Sequence, residues 1–543
     1  MSVIAPYESA VRTARPPGFG ALLHAEWTKL RTVRGWVIGL LLAVLLPVGI
    51  MFLGHSDCSI SYPNGQTFAC PGQPIGPDGS AVTDDLYFLH QALPADGSIT
   101  ARVTALTGRY APNGEIQVSA SGALSGMVSG TQPWSKAGIM IKASTTQGSA
   151  YAAMLVTGSN GTRMQWNYSG DTAGLPGAVS ASSPRWLRLV RSGSVVTGYD
   201  SLNGSSWTQV GSQALRGLPA SATVQVGLFA TSPSYQVLTT SFGGSSGRGG
   251  PSLATGTFDS VSLSGASGSW TGTSITTPPP PLPPGMPPQK NPKAFNGSYK
   301  ALAGEAYTVT GSGDIAPDVL DAPDGSGMSP QSALTGTFAT LIVIIIVAAL
   351  FVAAEYRRGM IRVTFAAAPS RWQVLAAKSV VIGVVTFVVG LIVVAVTLPV
   401  GLQRLHSRGN WIPPISALTE TRMIVGTALM LALCAVLALA IGAMARRSVL
   451  AITGVIVVIF IPYLLAQAPG LLPVAAQDWL LRVLPAAAFS IQQAYPAYHQ
   501  VLAPYWPADG YYPLSPWAGF AVLCAWAAVA LAGAAWLLRR RDA

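Results

Sequence analysis

The chain is short of charge. Only 10% of its 543 residues are Asp, Glu, Lys or Arg, whereas soluble proteins carry about 25%. Half of it is hydrophobic, so membrane spans are the first thing to look for. Chemistry is missing as well. The dipeptide Gly-Lys never occurs. No G-x-x-x-x-G-K-[ST] phosphate cradle exists, and the chain is not a P-loop ATPase by itself. There is no H-E-x-x-H, the five histidines are scattered, and only four cysteines occur. The acidic residues show no EF-hand spacing. These gaps leave no catalytic residue, no metal site and no cofactor to propose. No basic run interleaved with aromatics is present, which excludes nucleic acid as a partner.

What the chain has is long apolar runs. Six approach or exceed the roughly 18–20 residues needed to cross a bilayer: Trp36–Leu53, Leu334–Ala354, Ser379–Leu402, Met423–Ala445, Val449–Ala466 and Trp517–Leu538. The first has 35 residues before it and no small-x-small cleavage site after it. It reads as a retained anchor rather than a signal peptide. The runs contain no Asp, Glu, Lys, Arg or His, which disfavours an ion-coupled carrier, because the coupling ion needs ligands there.

The charges sort by side. With a cytoplasmic N-terminus and six alternating spans, the inside holds 15 basic and four acidic residues. The outside holds 17 of each, so the whole net charge of +11 falls inside. The positive-inside rule then places both termini in the cytoplasm of a multi-pass plasma-membrane protein.

About 280 residues separate the first two spans. Short alternating runs such as "AGIMIKA", "RWLRLVR" and "TVQVGLF", broken by Asn160-Gly161 and Asn203-Gly204, predict an all-β sandwich over about 84–263. Residues 54–83 form a loop before it. There Cys58 and Cys70 are expected to pair in an oxidising compartment. Cys434 and Cys524 lie inside apolar runs and read as packing residues. The segment 264–333 holds "TTPPPPLPPGMPPQKNP", a semi-rigid polyproline spacer. It also holds "GEAYTVTGSGDIAPD", readable as further strands or as a loop. The loop of about Gln467–Pro516 is apolar enough for short interfacial helices. Its Trp479, Tyr505, Trp506, Tyr511 and Tyr512 suit headgroup level.

Between the second and third runs lies "EYRRGMIRVTFAAAPSRWQVLAAK" (Glu355–Lys378). Met360–Ala368 would make a helix of roughly 13 Å, ended by Pro369. Ser370 and Gln373 form an S-x-x-Q capping box for the next helix. The segment is either a compact elbow able to carry force into the membrane or a basic loop serving topology alone.

This motif, with "HAEWTKLRTVRGW" (His24–Trp36) before the first span, resembles the membrane subunit of actinobacterial ABC-2-type ATP-binding-cassette transporters. The resemblance covers roughly Pro17–Leu53 and Leu334–Arg541. It implies a six-helix transmembrane bundle, an interfacial elbow helix at Pro17–Arg34, and a coupling helix at Met360–Ala368. It also implies a cytoplasmic ATPase partner and a second permease subunit. Met360, Ile361, Arg362 and Phe365 would then be the ATPase-coupling residues. "WSKAGIMIKAS", "AYAAMLVTGSNGTRMQW" and "RWLRLVRSGSVVTGYDSLNGSSWTQVG" resemble concanavalin-like and laminin-G-like jelly rolls of carbohydrate-associated proteins. On that resemblance Trp134, Trp166, Trp186 and Trp207 are candidate glycan contacts, against the plainer reading as sandwich core.

The expectation is a mixed fold, a six-helix bundle over 1–53 and 334–543 with an extracellular sandwich inserted between helices 1 and 2. Its function would be that of an exporter permease contacting lipid and driven by a separate ATPase. The alternative is a membrane-anchored carbohydrate sensor. No cytoplasmic segment exceeds about 35 residues, too little for an output domain of typical size.

Overall fold

The computed structural model describes residues 18–53, 58–61, 67–69, 72–94, 96–114, 117–118, 124–241, 244–276, 297–318, 328–357, 364, 370–468, 471–502 and 505–540. Among the described residues eight α-helices build its membrane part. They are α1 (Phe19–Thr32), α2 (Arg34–Leu53), α3 (Thr337–Arg357), α4 (Arg371–Ser407), α5 (Ala417–Ala445), α6 (Ser448–Gln467), α7 (Val474–Val483) and α8 (Pro516–Arg540). Among the described residues six of them, all but α1 and α7, are long and apolar enough to cross a membrane.

Residue size decides how closely the helices approach. α5 is rich in Ala and Gly, and it packs against α3, α4, α6 and α8. Such small residues let backbones come together where lipid supplies no hydrophobic drive between helices. At Gly336, where α3 begins, a Cβ would sit 2.7 Å from the Pro47 carbonyl oxygen of α2. α4 has 37 residues, about 55 Å of helix, against a hydrocarbon core of about 30 Å. It therefore extends beyond the expected run at both ends. Its start confirms Ser370 as N-cap, but that side chain makes no capping hydrogen bond. The expected capping box does not form. Only the Ser370 carbonyl is used, accepting from Gln373 N at 3.0 Å.

Two open antiparallel sheets form the inserted domain. One has seven strands, in the spatial order Gly170–Ala173, Thr162–Trp166, Tyr151–Thr157, Lys136–Lys142, Val224–Thr231, Leu86–Leu93 and Ser267–Ile275. The other runs Thr208–Ala214, Val195–Ser201, Arg185–Ser192, Gly97–Tyr110, Ser252–Ser264, Ala306–Gly311 and Ser298–Leu302, with Val128–Ser129 beside Gly97–Tyr110. Alternation along Arg185–Ser192 buries Leu187 and Leu189 and turns Trp186 and Arg188 outward. The inward residues of both sheets, among them Leu89, Ile99, Val103, Ile139, Met154, Leu228 and Phe258, share one core, as in a β-sandwich.

The sheets do not stop at Leu263. Ser267–Ile275 and Ala306–Gly311 extend one edge of each, and Ile315–Pro317 pairs with Val82–Asp84. "GEAYTVTGSGDIAPD" therefore supplies strands. Two buried lysines fasten this end: Lys136 to Asp314 at 2.6 Å and Lys142 to Asp84 at 2.7 Å. The sandwich also meets the helical part. Gln500 Nε2 donates to the Tyr168 and Ser169 carbonyls at 3.0 and 3.3 Å, and Cys58 N donates to the Arg408 carbonyl at 3.2 Å.

The loop before α8 departs from the interfacial expectation. Pro485–Gln492 is a 3-10 segment with every residue buried. It lies inside the bundle rather than at its surface, because Gly519 of α8 lets it in: a Cβ there would collide with the Ala487 carbonyl oxygen. Trp506 and Tyr511, further along the same loop, are buried, while Trp479 is 62% exposed, as a headgroup-level tryptophan would be.

Candidate functional site: a buried ionic node

α1 buries Leu22, Glu26 and Leu30. The spacing of four puts all three on one stripe, so a carboxylate occupies the middle of an apolar face. Leu22 packs on Val374 and Ala377 of α4, and this contact carries Glu26 inward. α3 brings Glu355 to the same place, one turn after Phe351. α4 brings Lys378, one turn after Val374.

The side chains close on one another. Lys378 Nζ lies 2.6 Å from Glu26 Oε2 and 2.7 Å from Glu355 Oε1. Lys29 Nζ lies 2.7 Å from Glu26 Oε1 and 2.9 Å from Glu355 Oε1. The Lys378 ammonium also sits 4.6 Å from the centroid of the Phe351 ring, a cation–π distance. Glu26, Glu355 and Lys378 are 2%, 3% and 2% exposed. Two carboxylates and two ammonium groups cancel, so the node is neutral. Such a cluster is tolerated only when paired, since each buried ion costs several kcal/mol of desolvation. Lys29 is the exposed member, its side chain 38% accessible. Burial alone would lower its pKa, but its hydrogen bonds to Glu26 and Glu355 outweigh that and hold it above the usual lysine value.

Two neighbouring contacts tighten the same end of the bundle. Arg371 Nη1 donates to the Leu538 carbonyl of α8 at 2.7 Å, and the Arg446 guanidinium stands 5.5 Å from the Tyr356 ring. Both chain ends that flank residues 358–369 are therefore held, one at Glu355–Tyr356 and the other at Arg371–Lys378.

All four charges of the node come from the two sequence motifs that flank the first and third spans. A model of the family described as ABC-2 family transporter protein matches residues 21–543, from α1 through the C-terminus. The chain belongs to the ABC-2 transporter family. No curated protein matches it. Likenesses to solved structures are faint. Scytalido-glutamic peptidase with a transition state analog inhibitor shares 5% identity at a TM-score of 0.25, covering 42% of this chain and 98% of that one. The GH43 protein BlXynB of Bacillus licheniformis shares 15% identity at a TM-score of 0.16, covering 25% of this chain and 24% of that one. Basic winged bean lectin with Tn-antigen shares 12% at 0.13, covering 32% and 75%.

In this ABC-2 protein the expected coupling residues Met360, Ile361, Arg362 and Phe365 lie outside the described residues. Cys58 is disulfide-bonded. Its expected partner Cys70 lies outside the described residues, but the pairing Ser59↔Ala69 aligns the residues next to both cysteines. The four tryptophans do not form one surface. Trp134 is buried, with the Arg163 guanidinium 5.6 Å from its ring. Trp166 packs against the sandwich core. Trp186 and Trp207 are half-buried on the outward side of the eight-stranded sheet. There the Arg102 and Arg188 guanidinium groups stand 5.6 and 3.9 Å from their rings.

Sequence reasoning missed the node. Glu26, Lys29, Glu355 and Lys378 read there only as topology charges, and Lys378 falls just before the apolar run of the third span although inside the helix that Ser370 caps. The signal was present as Glu26 on the Leu22–Leu30 stripe and Lys378 within Val374–Ile382, ionisable residues at positions where the helical period demands apolar ones.

A second feature lies toward the sandwich. Gln331, Phe338, Tyr463, Gln467 and Gln492 line a cavity of about 230 Å³ between α3, α6 and the 3-10 segment. Gln331 Nε2 donates to Tyr512 Oη at 2.6 Å. Among the described residues Gln331 Oε1 and Gln492 Nε2 have no partner, so an acceptor and a donor remain for a polar guest.

Proposed function

We propose that the chain is the membrane-spanning permease subunit of an ABC-2 exporter, powered by a separate cytoplasmic ATPase and paired with a second permease subunit. The observation that carries this reading is the ionic node. It fastens α1, α3 and α4 together where the segment 358–369 leaves and re-enters the bundle. A force applied to that segment would reach three helices as one body. Met360, Ile361, Arg362 and Phe365 are the docking residues, and α1 is the elbow helix. Without a Walker A cradle in the chain, ATP hydrolysis falls to the partner. The 15-to-4 charge division supports placing the node in the cytoplasm and the sandwich outside. The cavity at Gln331 and Gln492 is a waypoint for a polar or amphiphilic substrate.

For the sandwich we infer a concanavalin-like or laminin-G-like role in binding glycan, with Trp186 and Trp207 as stacking surfaces beside Arg102 and Arg188. Loss of glycan-array signal on Trp186→Ala and Trp207→Ala would support it. An array with no signal for the wild type would reject it.

The transport reading is tested by affinity purification of the tagged chain from its native membrane. A co-purifying subunit that carries a Walker A motif and vanadate-sensitive ATP hydrolysis supports it. Recovery of the chain from intact membranes with no ATPase refutes it and favours the sensor alternative.

A further inference from the structure

A second cavity lies at the sandwich end of the bundle. Its volume is about 280 Å³, and its walls come from α2, α4 and the turn before α3. Gly401, Arg404, Leu405 and Arg408 form one stripe at the end of α4 and its C-cap. Ile50 and Met51 of α2 and Met328 and Ala333 across from them supply apolar wall. Ser332 and Thr335 add hydroxyls. Arg404 is held in place, its Nη2 donating to the Phe52 carbonyl at 3.1 Å and its guanidinium 4.7 Å from the Phe52 ring. Ile50, Phe52 and Leu53 are exposed, as expected of a helix face turned to lipid.

We propose that this cavity binds an anionic lipid, its phosphate at Arg404 and Arg408 and its acyl chain along Ile50, Met51, Ala333 and Leu405. The chemistry is paired at each end. Guanidinium groups make charge-assisted hydrogen bonds to phosphate oxygens, and the apolar wall suits a hydrocarbon chain. A soluble phosphate would use the arginines and leave that wall empty, so the lipid is the occupant that fits both. The inference rests on α2 and α4 being membrane spans, not on the direction of transport or on an ATPase.

The test is native mass spectrometry of the full chain released from vesicles of equal phosphatidylglycerol and phosphatidylcholine. The wild type should retain phosphatidylglycerol in preference. Each basic residue near an anionic lipid is worth roughly a fivefold change in partition, so Arg404→Gln/Arg408→Gln should reduce the preference by about 25-fold. Met51→Trp keeps both arginines but fills the cavity, and it should also lose the lipid. That variant keeps the test valid if the double substitution fails to fold. Arg482→Gln, on α7, should change nothing. Equal retention of the two lipids by the wild type, or undiminished preference in both cavity variants, overturns the proposal. Displacement of the lipid by glycerol 3-phosphate at matched concentration would mark a free-phosphate site and overturn the lipid assignment.

Discussion

Lys378 and Glu355 meet at 2.7 Å, although they stand 23 positions apart in the chain. That contact closes the base of the segment joining the second and third spans. Glu26 accepts from the same ammonium at 2.6 Å, so α1 belongs to the same unit.

Removing Lys378 should cost far more than removing Lys29. Lys378→Met leaves two buried carboxylates with only Lys29 to balance them. Breaking a buried pair in this way costs about 3–5 kcal/mol. Lys29→Ala removes a half-exposed partner and should cost about 1 kcal/mol or less. Lys378→Met/Glu355→Gln restores neutrality and should be more stable than Lys378→Met alone. Thermal unfolding in detergent of the three variants checks the order. Equal melting temperatures for Lys378→Met and Lys29→Ala would contradict the node.

The sandwich should fold alone as residues 82–317 but not as 84–263. The shorter fragment drops the strands Ser267–Ile275, Ser298–Leu302, Ala306–Gly311 and Ile315–Pro317. It also removes Asp314 and leaves the fully buried Lys136 ammonium without its carboxylate. Far-ultraviolet spectra and amide dispersion of both fragments decide it.

His90 should make that domain acid-sensitive. Its ring is buried, Nδ1 lying 2.7 Å from Gln225 Oε1 and Nε2 3.0 Å from Thr273 Oγ1. Burial lowers its pKa below the usual 6.5, and the Gln225 hydrogen bond only partly opposes this. The unfolded chain therefore binds the proton more tightly. The stability contributed by neutral His90 is present above pH 6.5 and is lost as pH falls through the lower folded value. Urea midpoints of the 82–317 fragment should fall in that window, and His90→Gln should flatten the dependence. An unchanged slope in His90→Gln would exclude His90 as its source.

Topology should follow the charge division. A cysteine at Ser205, exposed on the sandwich, should react with an impermeant thiol reagent in intact cells. One at Ser370 should react only after permeabilisation. Labelling of Ser370→Cys in intact cells would invert the orientation.

The membrane helices were legible because apolar runs state their own length. The observed apolar spans match the expected ones within a few residues, except α4, which starts at the expected Ser370 cap but runs on past Leu402 through Arg404, a charge that looks like loop. The sandwich was legible as period-2 alternation, but its last strands follow the proline-rich stretch and looked like linker. The node was the least legible part. Glu26, Glu355 and Lys378 are far apart in sequence, and each alone reads as a topology charge. Only packing of Leu22 on Val374 and Ala377 brings them together. The burial of Pro485–Gln492 was hidden for a similar reason, since it depends on Gly519 opening space on a neighbouring helix.

The central claim is that residues 358–369 dock an ATPase and that the node passes the force on. It is tested most directly by ATPase recovery on the detergent-solubilised chain carrying Phe365→Ala or Arg357→Ala. Phe365 is the apolar anchor of the proposed docking helix, and loss of such an anchor costs about 2 kcal/mol or more. On the same proposal Arg357 would be a rim charge worth about 0–1 kcal/mol. The account predicts that Phe365→Ala loses most of the ATPase while inserting normally, and that Arg357→Ala keeps it. Full recovery with Phe365→Ala together with loss in Arg357→Ala would contradict it and leave the segment a basic topology loop.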